Sequence, residues 1–83
     1  MTYYDRYMPV EVHTKKASSA EASTNAVEFD LPYEVNGAIA QVVQDADDAV
    51  DDSGLKVEID GKKVTVSVTS LAEDDIVTIL ATK

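Results

Sequence analysis

The stretch GLKVEIDGKKVTVSV, residues 54–68, constrains the fold more than any other. Asp60-Gly61 is a dipeptide favoured in two-residue type I′ turns, where both central residues need positive φ. On either side of it apolar and polar residues alternate, the period of a strand with one buried face. A turn centred on Asp60-Gly61 sets Ile59 opposite Lys62, Glu58 opposite Lys63, Val57 opposite Val64 and Leu55 opposite Val66. Opposed residues share a face. The apolar side then collects Leu55, Val57, Ile59, Val64, Val66 and Val68. Lys56, Glu58, Lys63, Thr65 and Ser67 take the other side, with Glu58 and Lys63 as a cross-strand ion pair.

The flanking segments predict what this hairpin joins. In AVEFDL, Val27, Phe29 and Leu31 alternate with Glu28 and Asp30, a strand near 26–31 that ends at Pro32. From 35 to 50, Val35, Ile39, Val42, Val43, Ala46, Ala49 and Val50 recur at three- and four-residue steps. That spacing predicts a helix with one apolar stripe, capped at Asn36 and stopped at Ser53-Gly54. SLAE at 70–73 reads as a capping box. The β-branched run IVTILAT that follows favours one helical turn or loop at 70–75 and then a strand at 76–82. Ile76, Val77, Ile79 and Leu80 leave that strand apolar on both faces, so both should be covered. The predicted helix covers one; the N-terminal arm or another chain covers the other. The expected fold class is α+β: a small antiparallel sheet, made of a C-terminal meander at 55–60, 63–69 and 76–82 plus the strand near 26–31, with one helix packed on it.

Residues 1–25 read differently. Tyr3, Tyr4, Tyr7 and Met8 hold three of the four tyrosines at the start of the chain, and KKASSAEASTN at 15–25 is small, polar and without period. Tyrosine brings large contact area at low entropic cost and is enriched at interfaces. The expected division is an extended arm and linker at 1–25 and a small domain at 26–83. A blander reading has MPVEVHT adding a strand to the protein's own sheet.

At 83 residues the chain makes one domain, which buries only about 60% of its unfolded surface and is marginally stable alone. With no cysteine and one histidine, disulfides, thiolate metal sites and a nitrogen-rich zinc site are excluded. The net charge of -9 opposes phosphate backbones and anionic lipid, so direct nucleic-acid or membrane binding is not expected. Ten aspartates against six glutamates resemble the composition of proteins from salt-loving microbes and their viruses, although lysine outnumbers arginine six to one. No apolar run approaches the roughly 20 residues of a membrane span. The N-terminus lacks the basic start and apolar stretch of a secretory signal. A virion or cytoplasmic location is expected.

The acidic run QDADDAVDDSG at 44–54 offers three readings. Aligned as an EF-hand loop with Gly54 sixth, it places Ala49 at the first ligand position, which rules that loop out. A looser cation site would use Asp48, Asp51 and Asp52. A row of carboxylates at Asp45, Asp48 and Asp52 could instead imitate nucleic-acid phosphates. The plainest reading is a hydrated helix face, whose repulsion salt or a basic neighbour offsets. For catalysis no serine sits in a nucleophile elbow and the glycines are isolated. His13 shares a face with Glu11, opposite Val10 and Val12, and reads as solvent-facing. A non-enzyme without cofactor or metal is expected.

The order helix–strand–strand over 35–69 resembles the core of small periplasmic lipid-associated BON modules. That pattern's second full helix and secretory start have no counterpart here, and no family is assigned. The expected role is a structural or interaction subunit of a larger protein assembly, with virion components such as capsid decoration, neck or tail proteins as the analogy. Its partners would be copies of itself or other subunits, met through Tyr3, Tyr4, Tyr7, Met8, Ile76 and Leu80. The contrasting expectation is an acidic nucleic-acid-mimicking inhibitor or adaptor for a basic protein.

Overall fold

The computed structural model describes residues 10–45, 50 and 54–83. Among these residues, six strands and one short helix follow in the order β1 (Val10–Lys16), α1 (Ser19–Thr24), β2 (Ala26–Asp30), β3 (Gly37–Val43), β4 (Lys56–Asp60), β5 (Lys63–Ser67) and β6 (Ile76–Thr82). They form two three-stranded antiparallel sheets, β1-β6-β3 (sheet A) and β2-β5-β4 (sheet B). The chain alternates between sheets at their edges and ends with the two central strands. Val27 and Phe29 of β2 and Val64 and Val66 of β5 meet Val42 of β3 and Val77, Ile79 and Ala81 of β6 in one buried core. Leu31, Val35, Val68 and Leu71 close it from the loops.

This fold is mostly β, and it corrects four expectations. The stripe predicted as a helix over 35–50 begins as β3, whose last residue Val43 forms an isolated antiparallel bridge with Val50. Val35, Ile39, Val42 and Val43 are β-branched and lose χ1 freedom in a helix. The two-residue period is present, with Ala38, Ala40 and Val42 on the same face as the buried Ala81, Ile79 and Val77. It was masked because Ile39 and Val43, on the opposite face, are apolar too. Without that helix, the likeness to BON modules has no basis in the observed element order.

The C-terminal meander does not form either. β5 stays in sheet B while β6 crosses to the centre of sheet A. A strand apolar on both faces fits the middle of a layer, where the other sheet buries one side. The crossing loop is held by Asp75, a buried carboxylate that accepts from the N–H groups of Ala72 at 2.9 Å and Asp45 at 3.1 Å. Residues 70–75 take the loop, not the helical turn, of the two forms expected there, and β6 follows at 76–82 as expected.

The hairpin stands, with a shifted register. Asp60 pairs with Lys63, Val57 with Val66 and Glu58 with Thr65, so Gly61 and Lys62 form the turn. Gly61 takes φ 62° while Lys62 is not left-handed, the sign pattern of a II′ turn. The partner moves by two residues, so every side chain keeps its face. Val64, Val66 and Val68 are buried as expected, but Lys63 reaches Glu28 of β2 at 3.7 Å rather than Glu58.

Finally, residues 10–25 are not an extended arm and linker. Val10–Lys16 pairs along its length with β6, the blander of the two readings. Ser18 caps α1 in a capping box with Glu21, and Asn25 ends it at φ 56°. The Ser18 N–H donates to Glu21, and this holds the Glu21 carboxyl below its ordinary range. The Asn25 side chain accepts from the Leu71 N–H at 2.9 Å, tying α1 to the crossing loop.

Candidate interaction surface

The outer face of sheet A is built in four cross-strand rows. From one end they are Val10–Thr82–Gly37, Val12–Leu80–Ile39, Thr14–Thr78–Gln41 and Lys16–Ile76–Val43. The second row places three aliphatic side chains abreast, about 4.8 Å apart from strand to strand. All three face solvent: Val12 is 62% exposed, Ile39 66% and Leu80 37%. Val10, 47% exposed, extends the patch, and a groove of about 370 Å³ runs between Val10, Gly37, Ile39, Leu80 and Thr82. Scattered exposed aliphatics are ordinary; a contiguous row with apolar neighbours is a candidate contact surface.

Charge separates this face from the opposite side of the molecule. None of its twelve positions carries a carboxylate, in a chain with 16 of them, and Lys16 at one end is its only charge. On the outer face of sheet B, by contrast, Glu28 and Glu58 flank Thr65, and Asp30 and Asp60 flank Lys63. Among the described residues, then, the outer face of sheet A carries no carboxylate and one lysine, and that of sheet B carries four carboxylates against Lys56 and Lys63.

The orientation of β1 explains why Val10 and Val12 face out. Glu11 and His13 lie on its inner side, half-buried, where they meet Tyr33 from the β2–β3 loop and Lys83. His13 Nε2 is 2.9 Å from the Tyr33 hydroxyl and 3.3 Å from Glu11 Oε1. Lys83 Nζ donates to Glu11 Oε2 at 2.8 Å and lies 5.0 Å from the centre of the Tyr33 ring. The Lys83 ammonium holds the Glu11 carboxyl below its ordinary range, and Glu11 in turn raises Lys83. Partial burial, helped by Glu11, raises the Tyr33 phenol. Farther along, Lys15 reaches both Glu21 of α1, at 3.0 Å, and the Glu28 carbonyl of β2, at 3.1 Å. These polar contacts clasp the edge of sheet A to the rest of the protein. His13 is thus a clasp residue packed on Tyr33, not the fully solvent-facing side chain its alternation suggested.

Of the residues singled out in the sequence, Leu80 sits at the centre of the aliphatic row and Ile76 is half-buried two rows away. Tyr3, Tyr4, Tyr7 and Met8 lie outside the described residues, as do Asp48, Asp51 and Asp52 of the acidic run. Val12 and Ile39 were missed because one was assigned to an arm and the other to a helix stripe. The signal for Val12 was its alternation with Glu11 and His13, and that for Ile39 was its place between Ala38 and Ala40, apolar on both faces of the strand. Among the described residues no group of three or more His, Cys, Asp or Glu side chains stands close enough to hold a metal ion. Nor is any described helix long and apolar enough to cross a membrane. No protein-family model, curated protein or solved structure matches the chain.

Proposed function

We propose that this protein is a non-enzymatic structural or interaction subunit of a larger protein assembly, and that the outer face of sheet A is where it meets its neighbours. The observation that carries this reading is the exposed row Val12–Leu80–Ile39 on a face without carboxylates. A small domain that leaves such a row open gains stability when a partner covers it. The tyrosine-rich segment 1–9 supplies a second contact element, for a neighbour other than the one on sheet A. Small, cysteine-free subunits of this build are found among virion decoration, neck and tail proteins, an analogy of build and not of site.

The test is the solution molar mass of the concentrated full-length protein by light scattering, in low and in molar salt. A defined oligomer that strengthens with salt is expected, because salt screens the repulsion between chains of charge -9 while leaving apolar contact intact. An acidic mimic of nucleic acid behaves in the opposite way: it is a monomer in both conditions, and its complex with a basic partner collapses as salt rises.

A further inference from the structure

We propose that the occupant of the apolar face is a second copy of this chain, packed sheet A against sheet A about a two-fold axis through Leu80. This rests on the assembly reading above and names its partner.

The geometry is self-complementary. Leu80 is on the central strand, with Val12 on one side and Ile39 on the other. An axis along β6 lays β6 on the partner's β6 and Val12 on the partner's Ile39, and the reverse contact follows by symmetry. An axis across the strands lays each member of the row on its own counterpart. Either way aliphatic meets aliphatic, at the spacing of about 10 Å found between packed sheets.

Charge selects this face for self-contact. Two chains of -9 approach each other unfavourably on most sides. Joining the outer faces of sheet B would bring Glu28, Asp30, Glu58 and Asp60 against the same four carboxylates of the copy, with only Lys56 and Lys63 on each side to offset them. The outer face of sheet A brings none. A basic partner would be drawn to the acidic side instead, so a neutral aliphatic face is better matched by another neutral aliphatic face.

Area sets the strength. Three strands by seven residues cover roughly 300–400 Å² per copy, at the repeat distances of a sheet. That falls short of the ~800 Å² a side of a standard stable interface. The contact is a weak one, suited to an assembly in which copies are held at high local concentration, and apparent only in concentrated solution for the isolated protein.

Sedimentation equilibrium up to about millimolar protein, in molar salt, reads the dimer constant. The full-length protein is compared with Leu80→Asp, Ile39→Thr, a chain lacking residues 1–9, and Lys56→Gln. The last adds the same unit of negative charge as Leu80→Asp, but on the outer face of sheet B. Leu80→Asp is expected to weaken the dimer at least thirtyfold, the scale of a central hot spot, and Ile39→Thr about tenfold. Ile39→Thr keeps a β-branched residue at a solvent-exposed site, so it reports even where Leu80→Asp perturbs folding. Lys56→Gln and the shortened chain should dimerise as the parent does. An oligomer indifferent to both sheet A changes overturns this inference and leaves the assembly reading standing. Loss of association in the shortened chain as well as in the sheet A variants overturns it in favour of segment 1–9 as the occupant. A monomer at every concentration overturns both this inference and self-assembly.

Discussion

Two residues show how local chemistry ties distant segments together. Asn25 ends α1 in the left-handed region and also accepts the Leu71 N–H from the crossing loop. Asn25→Gly keeps the backbone conformation and loses the side-chain bond; Asn25→Ala loses the bond and adds left-handed strain. Thermal or urea unfolding should therefore rank them, with costs of about 1 kcal/mol for glycine and about 2 kcal/mol for alanine. Equal costs would mean that the left-handed conformation is not held in solution. Glu11 gives a pH signature. Its carboxyl is held down by the Lys83 hydrogen bond, so its stabilising contribution is present above the ordinary value of 4.5 and lost as pH falls through its lowered folded value. Glu11→Gln should melt below the parent at pH 7, and the gap should close in acid below the carboxylate range. The pair is solvent-exposed, so the gap is small. A gap that persists unchanged at low pH points to a packing role instead.

At the scale of elements, β1 matters most. It gives β6 a paired neighbour on each side and carries the Glu11–His13–Tyr33–Lys83 clasp. Removing residues 1–9 should leave a cooperative unfolding transition close to the parent's. Removing residues 1–16 deletes the seven-residue ladder with β6, exposes that strand's edge, and should yield an unfolded or aggregating chain. Far-UV circular dichroism separates the two outcomes, and a cut at 16 that still folds would contradict the sheet order. Truncations meant to probe an N-terminal arm therefore belong at residue 9, because the polar segment after β1 is a capped helix.

For the whole molecule, the sandwich sorts its charge. Sheet B turns four carboxylates outward, and sheet A turns a neutral aliphatic row outward. Self-repulsion at -9 weakens the compact state. The melting temperature should rise with sodium chloride up to the molar range, and calcium at equal ionic strength should give no further rise. A specific calcium increment would mean that the acidic run at 44–54 binds a cation.

Local chemistry was legible in the sequence wherever turn and pattern agreed. Val27, Phe29 and Leu31 and the hairpin's faces needed only alternation and a glycine turn, and the strand at 76–82 only its β-branched run. The II′ register was not legible, because a two-residue slip leaves every face unchanged. The capping box at Ser18 and Glu21 was legible but overlooked within a polar stretch. What only the tertiary structure decided was which sheet each strand joins and what covers each apolar face. Alternation gives a strand two sides; it does not say which layer it enters, and β6 resembled the third strand of a meander until its core side met sheet B. On β3, apolar residues on both sides erased the two-residue period and imitated a helix. That ambiguity and the exposed aliphatic row on sheet A have one physical cause: apolar side chains placed where the protein's own core does not need them.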